Sequence, residues 1–196
     1  MLKLSNPIVF TKAEQDVIST VKASGKSGPD MWKDDVLKPI KNRISQHTLE
    51  EQGCRCAFCE ALLVKGTTAI EHIAPKGKHP KFTFEPLNLV SACGRCNSTA
   101  IKGQKETIIH PVNTDYSQNS FAIVHPRLDG LDVDIKFTDD TRIAFDKQNC
   151  SQKGLDTIAF FHWDDEDARL TRLLNANRAN IPINIQQYAA LVSTYK

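Results

Sequence analysis

With 196 residues, 40% hydrophobic and 24% charged, the chain has material for one domain with a core and the composition of an ordinary soluble protein. No apolar stretch reaches the length of a membrane span, and Met1-Leu2-Lys3-Leu4-Ser5-Asn6-Pro7 lacks the apolar centre of a signal peptide, so a cytoplasmic protein with no membrane partner is expected. The net charge of +2 conceals an asymmetry, because residues 54–110 hold eight Lys/Arg against four acids while residues 129–170 hold five against eleven.

In chain order, the first part (1–53) predicts a helical lead-in. Thr11-Lys12-Ala13-Glu14 reads as a capping box, followed by Ala13, Val17, Ile18 and Val21 at helical spacing and a stop at Ser24-Gly25. Beyond the breaker from Gly25 to Pro29, the residues Trp32, Val36, Leu37, Ile40, Ile44 and Leu49 predict more helix, interrupted near Pro39 and closed by Gly53. The middle part (54–110) changes period. A β-prone run at 67–73 stopped by Pro75 predicts one strand, and Leu87-Asn88-Leu89-Val90 predicts a second. Between them Gly77, Pro80 and Pro86 mark a loop, and residues 96 to about 106 predict a short helix weakened by Gly103. The last part (111–196) predicts a strand at 120–126, a hairpin of 134–138 with 142–146, a long helix from Leu155 through Leu174 with an acidic surface at Asp164-Asp165-Glu166-Asp167, and a final helix from Ile185 to Val192. The fold class is α+β.

Two CxxC knuckles frame the middle part, Cys56…Cys59 and Cys93…Cys96. Four thiolates at this spacing are the ligand set of a closed tetrahedral zinc site, and a rubredoxin-like iron could use the same set. Cys54 sits close enough to compete with Cys56 for the metal. Zinc tying the start of the first strand to the start of the helix makes a compact ββα unit, too small to be stable on its own core.

A structural metal needs none of the polar residues inside the frame. Hydrolysing a phosphodiester needs a base for water and a cation for the phosphate. His72 suits the first task, since imidazole takes a proton near neutrality. Glu71 and Asn97 offer oxygen ligands for a hard cation such as Mg²⁺. Neighbours on a regular strand face opposite ways, so Glu71 and His72 share a site only if the backbone there is irregular. Lys76 and Lys102 are the candidate substrate-binding cations. His79, His110, His125 and His162-Trp163 read as loop or packing residues.

These residues resemble the HNH (ββα-metal) nuclease family: CxxC, an acid before His, a central Asn before the second strand, then CxxC, Asn and a downstream Lys. Here that sequence is Cys56…Cys59, Glu71-His72, Asn88-Leu89, Cys93…Cys96-Asn97 and Lys102-Gly103, with Asn in place of the last His. The resemblance implies that His72 is the general base, that Asn88 braces its loop, that Glu71 and Asn97 hold one catalytic Mg²⁺ or similar ion, and that the cysteines hold structural zinc. The flanks, with His125-Pro126-Arg127-Leu128-Asp129-Gly130, are similar to HNH proteins of retron- and Septu-type phage defence, which implies an ABC/SMC-type ATPase as partner, within a retron complex in some cases. The expected activity is thus metal-dependent endonucleolytic cleavage of DNA or RNA. The alternatives are a zinc-ribbon binding module and an ATPase-associated interaction subunit without catalysis.

Overall fold

The computed structural model describes residues 1–178 of the chain. The first helix, α1 (Lys12–Ala23), starts on the expected capping box: the Thr11 hydroxyl accepts from the Glu14 amide at 3.3 Å and the Glu14 carboxylate accepts from the Thr11 amide at 2.8 Å. Gly25, with φ of +69°, takes the chain out of it in the left-handed region. A short α2 (Gly28–Lys33) follows, capped by Ser27. Pro39 does not interrupt the next helix. It lies in the first turn of α3 (Lys38–Glu51), where its missing N–H has no helical partner to lose.

Two strands form the sheet. β1 (Thr68–His72) pairs antiparallel with β2 (Leu89–Cys93), placing Ile70 opposite Ser91, Glu71 opposite Val90 and His72 opposite Leu89. The second strand begins later than its sequence suggests, because Pro86–Asn88 is a 3₁₀ turn capped by the Glu85 carboxylate. Period-2 alternation gives the sheet two faces. Ile70 and Leu89 pack with Ile18, Leu37, Ile40 and Ile44 of the lead-in, and Ser91 meets Thr48 of α3 at 2.7 Å. Val90 and Ala92 join the second core, with Phe58, Ile73, Phe121, Ile158 and Phe161.

Several expected elements are shorter than predicted. The helix after the second knuckle is one turn, α4 (Gly94–Asn97), since Ser98 is already extended (ψ 153°) and turns follow to residue 104. Ser98 and Thr99 favour such turns by bonding the local backbone, and the Ser98 hydroxyl accepts from the Ile101 amide at 3.2 Å. The strand expected at 120–126 reduces to a single bridge between Ile108 and Phe121. The expected hairpin is preceded by one helical turn, α5 (Leu131–Asp134), and survives as a bridge between Phe137 and Phe145 around an Asp139 turn.

The long acidic helix is two helices, α6 (Gln152–Phe160) and α7 (Glu166–Arg178). His162, at φ +52°, breaks them apart, and the Trp163 amide returns to the Ile158 carbonyl at 2.9 Å. The helix expected at 185–192 lies outside the described residues. The class is α+β, with seven α-helices and one two-stranded antiparallel sheet among the described residues. No described helix is long and apolar enough to cross a membrane.

Candidate functional site

The first knuckle is a tight hairpin: Arg55 bridges Leu62, the Cys56 amide donates to the Ala61 carbonyl, and Glu60 turns at φ +62°. The second sits at the start of α4, with Cys93 as N-cap and Cys96 in the helix. The sheet brings them together. The four sulfurs of Cys56, Cys59, Cys93 and Cys96 lie within 4.8 Å of one another, and Cys59 and Cys93 stand 3.6 Å apart. A tetrahedron of Zn–S bonds of about 2.3 Å has edges of about 3.8 Å, so the set fits a zinc ion. Hydrogen bonds from Cys56, Cys59 and Cys96 hold Cys93 far below the ordinary thiol range, whereas burial pushes Cys56 up. Cys54 is buried outside this group, and burial raises its thiol to about 11.

His72 ends β1 and is 1% exposed. Its Nε2 donates to the Thr83 carbonyl at 3.0 Å, which leaves the Nδ1 lone pair directed elsewhere. The Lys76 ammonium stands 3.5 Å from Nδ1. Burial, aided by the Lys76 charge, holds the imidazole well below its ordinary value, so the ring is neutral at pH 7. Burial also lowers Lys76. Trp32 and the His72 ring meet edge to face, with centroids 4.6 Å apart.

Asn88 is fully buried in the turn before β2. Its Oδ1 accepts from the Ala74 amide at 2.6 Å, and its Nδ2 donates to the carbonyls of Ala74 at 3.1 Å and Phe82 at 2.9 Å. One side chain thus ties both ends of the loop that carries Thr83.

Glu71 takes the other face of β1, and its side chain meets Lys102. Lys102 donates to Glu71 Oε1 at 2.5 Å and to the His72 carbonyl at 2.7 Å. With Lys102 0% and Glu71 6% exposed, this is a buried ion pair. Burial pushes Glu71 up, against the pull of Lys102. Lys102, expected to reach a phosphate, is therefore spent on the interior. Asn97 ends α4 half-buried, and among the described residues no hydrogen bond joins it to Glu71 or His72. A hard divalent ion needs open oxygen ligands, mostly carboxylate, carbonyl and water. Glu71, its carboxylate paired with the buried Lys102 ammonium, offers such an ion no open ligand.

Trp32 and Thr83 act on His72 without any sequence signal for it. Trp32 reads as a helix-packing aromatic, and Thr83 enters through its backbone carbonyl. The loop charge of Lys76 was the one legible sign of a cation beside His72.

No protein-family model matches the chain, and neither does any curated protein or solved structure.

Proposed function

We propose that the chain is a phosphodiester hydrolase of the HNH type, acting on nucleic acid, with DNA favoured over RNA. The observation that carries this reading is the His72 ring: Nε2 fixed on the Thr83 carbonyl, Nδ1 unprotonated beside the Lys76 ammonium. In that tautomer Nδ1 takes a proton from water, and the Thr83 carbonyl stabilises the imidazolium that forms. In this reading Lys76, 3.5 Å from Nδ1, neutralises charge on the attacked phosphate. Asn88 fixes the loop, and the four-cysteine site, holding zinc, anchors the strand pair. With His72 1% exposed, the cover around it, which includes Trp32, must open for water and substrate to reach Nδ1.

The test is cleavage of single- and double-stranded DNA and RNA by wild type and His72→Ala, each with zinc content measured. Loss by roughly 10²–10⁴-fold in His72→Ala, with zinc retained, is the expected result. Equal cleavage by both sinks the reading. A Mg²⁺ titration addresses the neutralising charge. Cleavage in Mg²⁺-free buffer assigns that charge to Lys76, and an absolute need for Mg²⁺ means that Glu71 leaves Lys102 in the working state.

A second reading, an interaction subunit without catalysis, is favoured by the burial of His72 and by the Glu71–Lys102 pair. It predicts no cleavage by either protein. Under both readings we propose an ATPase of the ABC/SMC type as partner in an anti-phage defence system, on the resemblance of the flanks. The acidic stretch supports this less than its charge suggests. Asp164 pairs with Lys147, and Asp165 lies 3.8 Å from Arg95. Glu166 and Asp167 are exposed in the first turn of α7, where the helix dipole already favours acids.

A further inference from the structure

The motif at His125-Pro126-Arg127-Leu128-Asp129 has no part in the mechanism above, yet it holds a buried imidazole that touches the candidate site through one intermediary. His125 is 0% and Tyr116 3% exposed. The amides of Arg127 and Leu128 both donate to His125 Nδ1, at 3.1 and 3.2 Å. Nδ1 must therefore be the acceptor nitrogen, and the ring proton sits on Nε2. Nε2 lies 3.0 Å from the Tyr116 oxygen, which accepts that proton's hydrogen bond. The Tyr116 hydroxyl is then committed to donate onward, to Asn88 Oδ1 at 2.9 Å. Each bond fixes the direction of the next.

That direction matters at Asn88. Its oxygen accepts from Tyr116 and Ala74, and its nitrogen donates to Ala74 and Phe82. A flipped amide would set its N–H groups against two donors. Without Tyr116 the oxygen keeps one donor of its two, the Ala74 amide, and the hold on the amide plane loosens, including the tie to Phe82, one residue before the carbonyl that holds His72 Nε2. Burial, reinforced by Arg127 and Lys153, lowers His125 to about 3, so its ring stays neutral and the polarity holds through the physiological range.

We propose that Tyr116 and His125 are positioning residues for His72, setting its tautomer through Asn88 and the 74–83 loop. The proposal rests on His72 being the reactive base. It gives the segment after residue 111 a part in the site, beyond covering it.

Two variants test it. Tyr116→Phe deletes one hydroxyl and leaves the ring against Phe82 and Phe121. His125→Asn keeps an acceptor for the Arg127 and Leu128 amides and removes the donor to Tyr116. For Tyr116→Phe, kcat falls about 10- to 100-fold at unchanged KM and zinc content, the usual effect of losing an orienting partner. His125→Asn falls less. Imidazole ¹⁵N NMR on the full chain reads His72 directly: one Nε2–H tautomer in wild type, a mixture in Tyr116→Phe. A merely structural role lowers thermal stability and moves neither reading. Wild-type kcat in both variants, or a single unchanged His72 tautomer in Tyr116→Phe, overturns the proposal. If Tyr116→Phe does not fold, His125→Asn carries both measurements. A wild type that cuts no nucleic acid counts against the nuclease reading alone, since the NMR comparison still decides the positioning.

Discussion

Lys102 is the side chain on which the interior of the candidate site depends most. An ammonium with no exposed surface is tolerable only because Glu71 and the His72 carbonyl receive it. Lys102→Met leaves a buried carboxylate without its cation, and we expect a loss of about 3–5 kcal/mol in urea unfolding. Replacing both partners, as Lys102→Met with Glu71→Leu, should recover most of it, because the cost lies in the stranded charge. A double variant no more stable than Lys102→Met would rule out this account. His125 gives a pH prediction. Its folded value, about 3, lies below the ordinary histidine value. Stability from the neutral ring is thus complete above about pH 6.5 and is lost as pH falls, by up to about 1.4 kcal/mol per unit. Between pH 6.5 and 5 the stability of wild type should fall more steeply than that of His125→Asn; parallel curves would contradict the burial of that ring. At this scale the sequence was most legible where chemistry and spacing coincide: the four cysteines were grouped correctly, and His72 and Asn88 were singled out. Lys102 was misread, since a lysine one turn past a knuckle looks solvated until the fold closes over it.

Among the elements, α2 is seated closely enough to bear on the site. A Cβ built on Gly28 would lie 2.0 Å from the Lys76 carbonyl oxygen, so only glycine lets this helix rest on the loop beside His72. That contact delivers Trp32 to the His72 ring. Gly28→Ala must lift α2 away, and we expect Trp32 emission to shift to the red and become accessible to a soluble quencher, with α1 and α3 intact by circular dichroism. Unchanged quenching would mean that the loop yields instead of the helix. In sequence Gly25 to Pro29 reads as a breaker, which it is, but the approach of Gly28 to residue 76 leaves no local trace. The same division runs through the other elements. α1, its cap and β1 were legible because their signals are local: a capping box, a helical repeat, a β-branched run ended by proline. The helix after Cys96 and the strand at 120–126 were over-read. Their residues are held by turns and by bonds across the fold: Lys102 to the His72 carbonyl in the first, the Val124 amide to the Thr157 hydroxyl and His125 to Tyr116 in the second.

For the whole molecule, the three parts suggested by composition share their cores. Leu4, from the first part, and Phe121, Ile158, Phe161 and Trp163, from the last, lie in one cluster with Phe58, Leu63, Ile73 and Val90 of the middle part. Polar ties follow the same course: Arg127 makes a bidentate, buried pair with Glu51 at 2.9 and 2.7 Å, and Arg95 donates to the carbonyls of Phe161 and His162. The cysteine-framed segment is therefore one wall of a common interior. Cutting out residues 54–110 would expose side chains such as Phe58, Leu63 and Ile73, each fully buried in the intact chain, at about 1.5–3 kcal/mol apiece. A metal can offset much of that where it binds, since four thiolates on zinc contribute about 10–16 kcal/mol in zinc-finger peptides. The cysteines, however, anchor only the knuckles and the end of β2. They hold neither the 74–88 loop nor Asn88, whose partners include Tyr116 beyond the excised segment. The expected outcome is a fragment that binds one zinc through ordered knuckles while amides at 70–74 and 82–88 exchange freely, whereas the full chain protects them. Hydrogen exchange with zinc present measures this for both. A fragment that protects Ile73 and Asn88 as the full chain does would show that residues 54–110 fold alone, and the neighbouring segments would then be a shell around them.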